Sequence, residues 1–96
     1  MTEEEKVGLY SKAIEQWGIP AQVMMVMEET GELLAALGKF DRNRVGEADV
    51  ITELADVSIM VEQMALVFGL DDFKKEKERK LTRLKERLDK KESLKV

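Results

Sequence analysis

Residues 20–37 read PAQVMMVMEETGELLAAL, and residues 47–68 read EADVITELADVSIMVEQMALVF. Both stretches are built from helix formers, and the chain's one proline, Pro20, stands where a helix tolerates it, in the first turn. Met24, Met25, Val26, Met27, Leu33, Leu34 and Leu37 cover much of the first stretch. Val50, Ile51, Leu54, Val57, Ile59, Met60, Val61, Met64, Leu66 and Val67 do the same for the second. Helices that are apolar on most faces need contacts on several sides. A single small protomer cannot easily supply them all. The expectation is an all-α fold with these two helices as a central antiparallel pair, assembled as a homo-oligomeric helical bundle. The alternative is a self-sufficient monomeric bundle.

Working outward, Val7, Tyr10, Ile14 and Trp17 recur at helical spacing, which predicts a first helix from about Thr2 to Trp17. Thr2 with Glu5 has the form of a capping box. Gly18-Ile19-Pro20 breaks the chain before the second helix, expected from Pro20 to Leu37 with a stop near Gly38. Lys39 to Gly46 reads as a polar loop. The third helix is expected from Glu47 or Asp49 to Phe68, ending at Gly69. Asp71 is the expected N-cap of a fourth helix reaching about Lys90. Its apolar residues Phe73, Leu81, Leu84 and Leu88 form a narrow stripe among charges. The last few residues are expected to fray. One domain spans residues 1–96, with its core at about residues 2–90 and no second copy of any segment.

Charge is divided along the chain. Residues 1–73 carry five Lys and Arg against fifteen acids, a net of −10, while residues 74–96 carry eleven against five, a net of +6. An acidic body argues against nucleic acid as a partner. The basic last helix is a surface for phosphates or for a protein. The 96 residues contain no cysteine and no histidine. Disulfides, thiolate chemistry, Ser/His nucleophiles and His-rich zinc sites are therefore excluded. No apolar run reaches the length of a membrane span, and Thr2-Glu3-Glu4-Glu5 is unlike a signal peptide. A cytoplasmic location with no membrane partner is expected.

Two acid clusters interrupt the apolar helices. Glu28, Glu29 and Glu32 form E-E-x-x-E, and Glu53 and Asp56 form E-x-x-D. At 100° per residue, Glu29 and Glu32 are about 60° apart, as are Glu53 and Asp56. Acids on helices are usually solvated and mixed with cations at i, i+4. Here no Lys or Arg occurs between Lys12 and Lys39, or between Arg44 and Lys74. Burying unpaired carboxylates among Met, Val and Leu costs several kcal/mol each. A divalent cation would offset that cost, as would Lys or Arg reaching over from the fourth helix. All-oxygen ligation suits Mg²⁺, with Mn²⁺ as a second choice. Without histidine, a base must be a carboxylate or metal-bound hydroxide, and Glu28 is a candidate for that base or for an extra ligand.

The paired motif resembles that of the MazG-like nucleoside triphosphate pyrophosphohydrolases. The likeness rests on Glu28-Glu29-Thr30-Gly31-Glu32, a spacer of twenty residues, and Glu53-Leu54-Ala55-Asp56. Trp17-Gly18, Gln22, Glu32-Leu33-Leu34 and Asp56-Val57 add to it, so that it covers about residues 13–69. It implies a four-helix protomer working as a homodimer or dimer of dimers. It also implies Mg²⁺-dependent hydrolysis of a nucleotide substrate to a monophosphate and pyrophosphate. The metal ligands it implies are Glu29, Glu32, Glu53 and Asp56. Lys80 and Arg83, with Lys77 and Arg79 competing, would hold phosphates. Trp17 and Gln22 would lie near the nucleobase, although Trp17 can equally be a packing residue. Related dUTPase-like, dCTPase-like or phosphoribosyl-ATP activities share the pattern. A reading of another class is a non-catalytic helical oligomer that binds a protein through its basic last helix.

Overall fold

The computed structural model describes residues 1–94 and contains four helices and, among the described residues, no strand. They are α1 (Glu3–Trp17), α2 (Ile19–Asp41), α3 (Glu47–Phe68) and α4 (Leu70–Leu94). None is long and apolar enough to cross a membrane.

Each boundary has a local cause. Thr2 caps α1 with the expected box: its Oγ1 accepts from the Glu5 N–H at 3.1 Å, and Glu5 Oε1 accepts from the Thr2 N–H at 3.4 Å. Gly18, at φ +84°, turns the chain directly from α1 into α2. α2 does not stop near Gly38 as the sequence suggested but continues to Asp41. The stop is set instead by Asn43, the one non-glycine residue at positive φ among those described (59°). The Asn43 N–H bonds to the Phe40 carbonyl at 2.9 Å, and the Arg44 N–H to the Lys39 carbonyl at 2.8 Å. This is a Schellman closure with asparagine in the left-handed position. Gly38 stays inside the helix, and its carbonyl accepts from the Arg42 N–H at 3.2 Å.

The loop before α3 is correspondingly shorter than expected. Asp49 Oδ2 accepts from the Gly46 N–H at 3.2 Å and fixes the start of α3. At the other end Gly69, at φ +135°, links α3 to α4 by itself. Asp71 is therefore not the N-cap of α4 but lies in its first turn with Asp72, where both acids complement the helix dipole. α4 runs on past Lys90 to Leu94, and the expected fraying falls on residues 95 and 96, outside those described.

α2 and α3 pack against each other more extensively than any other pair, while α1 touches both and α4 packs against α3 and reaches α1 through its first-turn Lys74. Tyr10 ties α1 to α3 by donating its hydroxyl to Glu62 Oε2. Burial and the carboxylate together push that phenol up to about 12. The Lys74–Glu3 pair at 2.8 Å is exposed and screened by water, so it adds little to stability.

Burial within the protomer is thin. Ala36, Met60 and Ala65 are its buried apolar residues, with Gln22 and Gln63 as buried polar ones. Met24, Met27, Leu34, Ile51 and Phe68 are all more than 60% exposed. Beyond Phe73 every described side chain of α4 faces solvent. The radius of gyration is 17.1 Å, against about 12 Å for a compact chain of this length.

The glycine links make the fold testable. Gly18→Ala and Gly69→Ala are each expected to lower stability by about 1–3 kcal/mol, because alanine is strained at those φ values. Gly8→Ala, inside α1 with open space around its Cβ, should instead stabilise by about 0.5–1 kcal/mol. Urea unfolding of the three variants checks this. An unchanged midpoint for Gly18→Ala would contradict the one-residue turn.

Candidate metal centre and adjoining cleft

The α2–α3 hairpin runs in one register. Gln22, Met25, Glu29 and Glu32 follow each other at alternating spacings of three and four residues, so they share a face of α2. Glu53, Asp56, Met60 and Gln63 do the same on α3. Because the helices are joined by a short loop, the two series meet in reverse order. The acids lie toward the loop, the methionines next, and the glutamines furthest from it.

Glu29, Glu53 and Asp56 converge. Each offers a carboxylate oxygen within 4.8 Å of the other two, and all three side chains are half-buried. One oxygen of Glu29 (Oε2) and one of Glu53 (Oε2) are fully buried without a hydrogen-bond donor. Glu32, the fourth expected ligand, is exposed at the edge of this group. Its charge still reaches both neighbours. Glu29 is held above the ordinary carboxylate range by burial first, then by repulsion from Glu32, Asp56 and Glu53. Glu53 is raised by burial first, then by Glu32, Asp56 and Asp49. No cation contributes to either shift. The alternative to a metal, Lys or Arg reaching over from α4 to form an ion-pair network, is not formed among the described residues.

These residues pass the test for a hard divalent cation. Buried oxygens without donors, three mutually repelling carboxylates and an all-oxygen donor set are what such an ion satisfies. Glu28 lies outside the convergent group and is exposed.

A cleft of about 440 Å³ opens beside the acids, and Glu29 and Asp56 form one end of it. Trp17 and Gln22 both line it, so the structure gathers these two expected residues next to the carboxylates. Trp17 is 62% exposed, which does not suit a packing role within the protomer. Ala21, Met25, Ile59, Met60 and Gln63 complete the wall, and none of these was expected at the site from the sequence. The signal for Gln63 was present: it follows Asp56 by seven residues and so returns to the same face.

Lys80 and Arg83 are not brought to the acids in one protomer. They are exposed on α4, and α4 makes no close approach to α2. Arg79 is engaged by Glu76 on its own helix. Lys77 lines a separate cleft between α1, α3 and α4. Comparisons of the chain with protein-family models, with curated proteins and with solved structures return no match.

A carboxylic acid with a raised pKa binds its proton more tightly folded than unfolded. Glu29 and Glu53 therefore stabilise the fold relative to neutral pH when protonated, and that stability is lost as pH rises through their raised values. The metal-free protein should lose stability as pH rises above the ordinary glutamate range, and Glu53→Gln should flatten the loss and raise the neutral-pH melting temperature. Thermal melts across pH measure both. A Glu53→Gln variant less stable than wild type at neutral pH without divalent ions would refute the repulsion.

Proposed function

We propose that this protein is a divalent-metal-dependent pyrophosphohydrolase that cleaves nucleoside triphosphates to the monophosphate and pyrophosphate. The observation that carries the reading is the convergence of Glu29, Glu53 and Asp56 with buried, donorless oxygens and no neighbouring cation. Its chemical direction comes from the resemblance of E-E-x-x-E and E-x-x-D to the MazG-like motif. Mg²⁺ is the proposed cofactor, with Mn²⁺ as a substitute. When bound, such a cation neutralises phosphate charge and polarises a water. Glu29, Glu53 and Asp56 would hold it, with Glu32 joining from the rim. Glu28 is proposed as a base or further ligand. The cleft beside Trp17 and Gln22 would receive the nucleoside end. dUTP, dCTP and phosphoribosyl-ATP belong in the same substrate panel. The proposed setting is cytoplasmic.

A homo-oligomer is part of this proposal. The protomer exposes 7823 Å², whereas a compact chain of about 11 kDa exposes about 5,600 Å². The excess, on the order of 2,000 Å², is the area that obligate interfaces cover. Lys80 and Arg83, if they hold phosphates, would do so in a neighbouring protomer. A second reading is favoured by the exposed Leu81, Leu84 and Leu88 on the basic helix α4: a non-catalytic oligomer that binds a protein there.

Pyrophosphate release from a nucleotide panel with Mg²⁺ tests the main reading. Release is expected, with Glu53→Gln and Asp56→Asn each lowering it by at least about 100-fold. No release from any nucleotide, with no Mg²⁺-dependent rise in melting temperature, refutes it. Mixing inactive Glu53→Gln protein with inactive Lys80→Ala/Arg83→Ala protein should restore part of the activity. Failure to complement would place the two groups in the same protomer or deny the basic pair its role.

A further inference from the structure

Two helix faces lie uncovered in the protomer, and both have the spacing of a coiled-coil seam. On α2, Met24, Met27, Gly31 and Leu34 recur at intervals of three, four and three residues, on the side of the helix away from Glu29 and Ala36. Met24, Met27 and Leu34 are 66%, 66% and 67% exposed. Nothing lies within 4 Å of where a Cβ would stand on Gly31, so the seam has a hollow between Met27 and Leu34. On α4, Leu81, Leu84 and Leu88 recur at three and four residues, and Lys77 and Lys91 continue the same line at either end. The three leucines are about half exposed. Their line prolongs the face that Leu70, Phe73 and Lys77 turn toward α3, past the point where α4 leaves the body.

The flanks of each seam decide what fits it. Lys80, Lys85 and Arg87 stand beside the α4 leucines against one acid, Glu78, while Asp71, Asp72, Glu76, Glu86 and Asp89 fall toward the far side. Glu28 stands beside the α2 seam, and α2 holds no cation before Lys39. In a two-fold pair, α4 against α4 would set these cations together, and α2 against α2 would set Glu28 against Glu28. Pairing α4 with α2 matches cation to carboxylate and brings a leucine to the hollow at Gly31. Within one copy that contact is absent, because α4 makes no close approach to α2.

We infer that the leucine stripe of α4 docks on the Met24–Leu34 seam of α2 in a second copy, and reciprocally, so that two α4–α2 contacts close a two-fold dimer. This rests on the homo-oligomer of the reading above and names its surface. The protomer's 7823 Å² of exposed surface exceeds that of a compact chain by on the order of 2,000 Å², enough for a stable dimer.

Sedimentation of the full chain, with folding checked by circular dichroism, tests the pairing. Met27→Lys and Leu84→Glu each place a charge in one seam at an exposed helical position. Wild type should be dimeric, and each variant should associate at least about 10-fold more weakly. Mixed together, the two variants should form a heterodimer, because one α4–α2 contact is then intact and the other sets Glu against Lys. Where Met27→Lys unfolds the chain, Gly31→Gln fills the hollow while improving helix propensity, and the same loss is expected. Where Leu84→Glu does, Leu84→Gln replaces it. A monomeric wild type overturns this inference together with the oligomer proposed above. An oligomer that survives Leu84→Glu, or one lost in both variants without recovery on mixing, overturns this inference alone. Pyrophosphate release is scored separately, so its absence removes the hydrolase reading and leaves the pairing.

Discussion

Three carboxylates that repel one another across the α2–α3 interface set the terms for the rest of the molecule. Glu29, Glu53 and Asp56 lie half-buried within 4.8 Å of each other, with no positive charge to relieve them. Such an arrangement costs stability in the isolated protomer. It persists because the helices carrying it are locked in register on either side, by the Schellman closure at Asn43 and the Asp49 cap at one end and by the glycine links at the others. Strain concentrated in this way is characteristic of sites rather than of scaffolding.

The same hairpin accounts for the layered cleft. Alternating spacings of three and four residues keep one face of each helix aligned for several turns. Acid, methionine and glutamine therefore meet like with like: Glu29 beside Asp56, and Gln22 in the same cleft as Gln63. Trp17 reaches the cleft only because Gly18 turns α1 sharply into α2. The cleft's chemistry is graded along its length, from charged oxygens to neutral amides.

The protomer is open where a larger assembly would be closed. Helices α2 and α3 are apolar on faces that no described residue covers, and α4 leaves the acidic body beyond its first turns with its leucine stripe exposed. Opposite charge on these two parts, −10 on residues 1–73 and +6 on residues 74–96, favours an arrangement in which the basic helix of one copy approaches the acidic body of another.

Helical class, helix number and the face carried by each acid were written in the sequence, because local propensity and the 3.6-residue period act without knowledge of the partner helix. The capping box at Thr2 and the end of α3 at Gly69 were legible for the same reason. The end of α2 was not: Gly38 looked like a stop, but the helix runs on until Asn43 takes the left-handed turn. The pairing of Glu29 with Glu53 and Asp56, the marginal position of Glu32 and the exposure of Glu28 were decided by helix rotation, which depends on contacts between distant segments. The distance between the acids and Lys80 or Arg83 was likewise a matter of tertiary direction, fixed by the single residue Gly69. Gln63 shows the division most clearly. Its spacing from Asp56 put it on the cleft face, but only the tertiary structure buried its carbonyl without a donor.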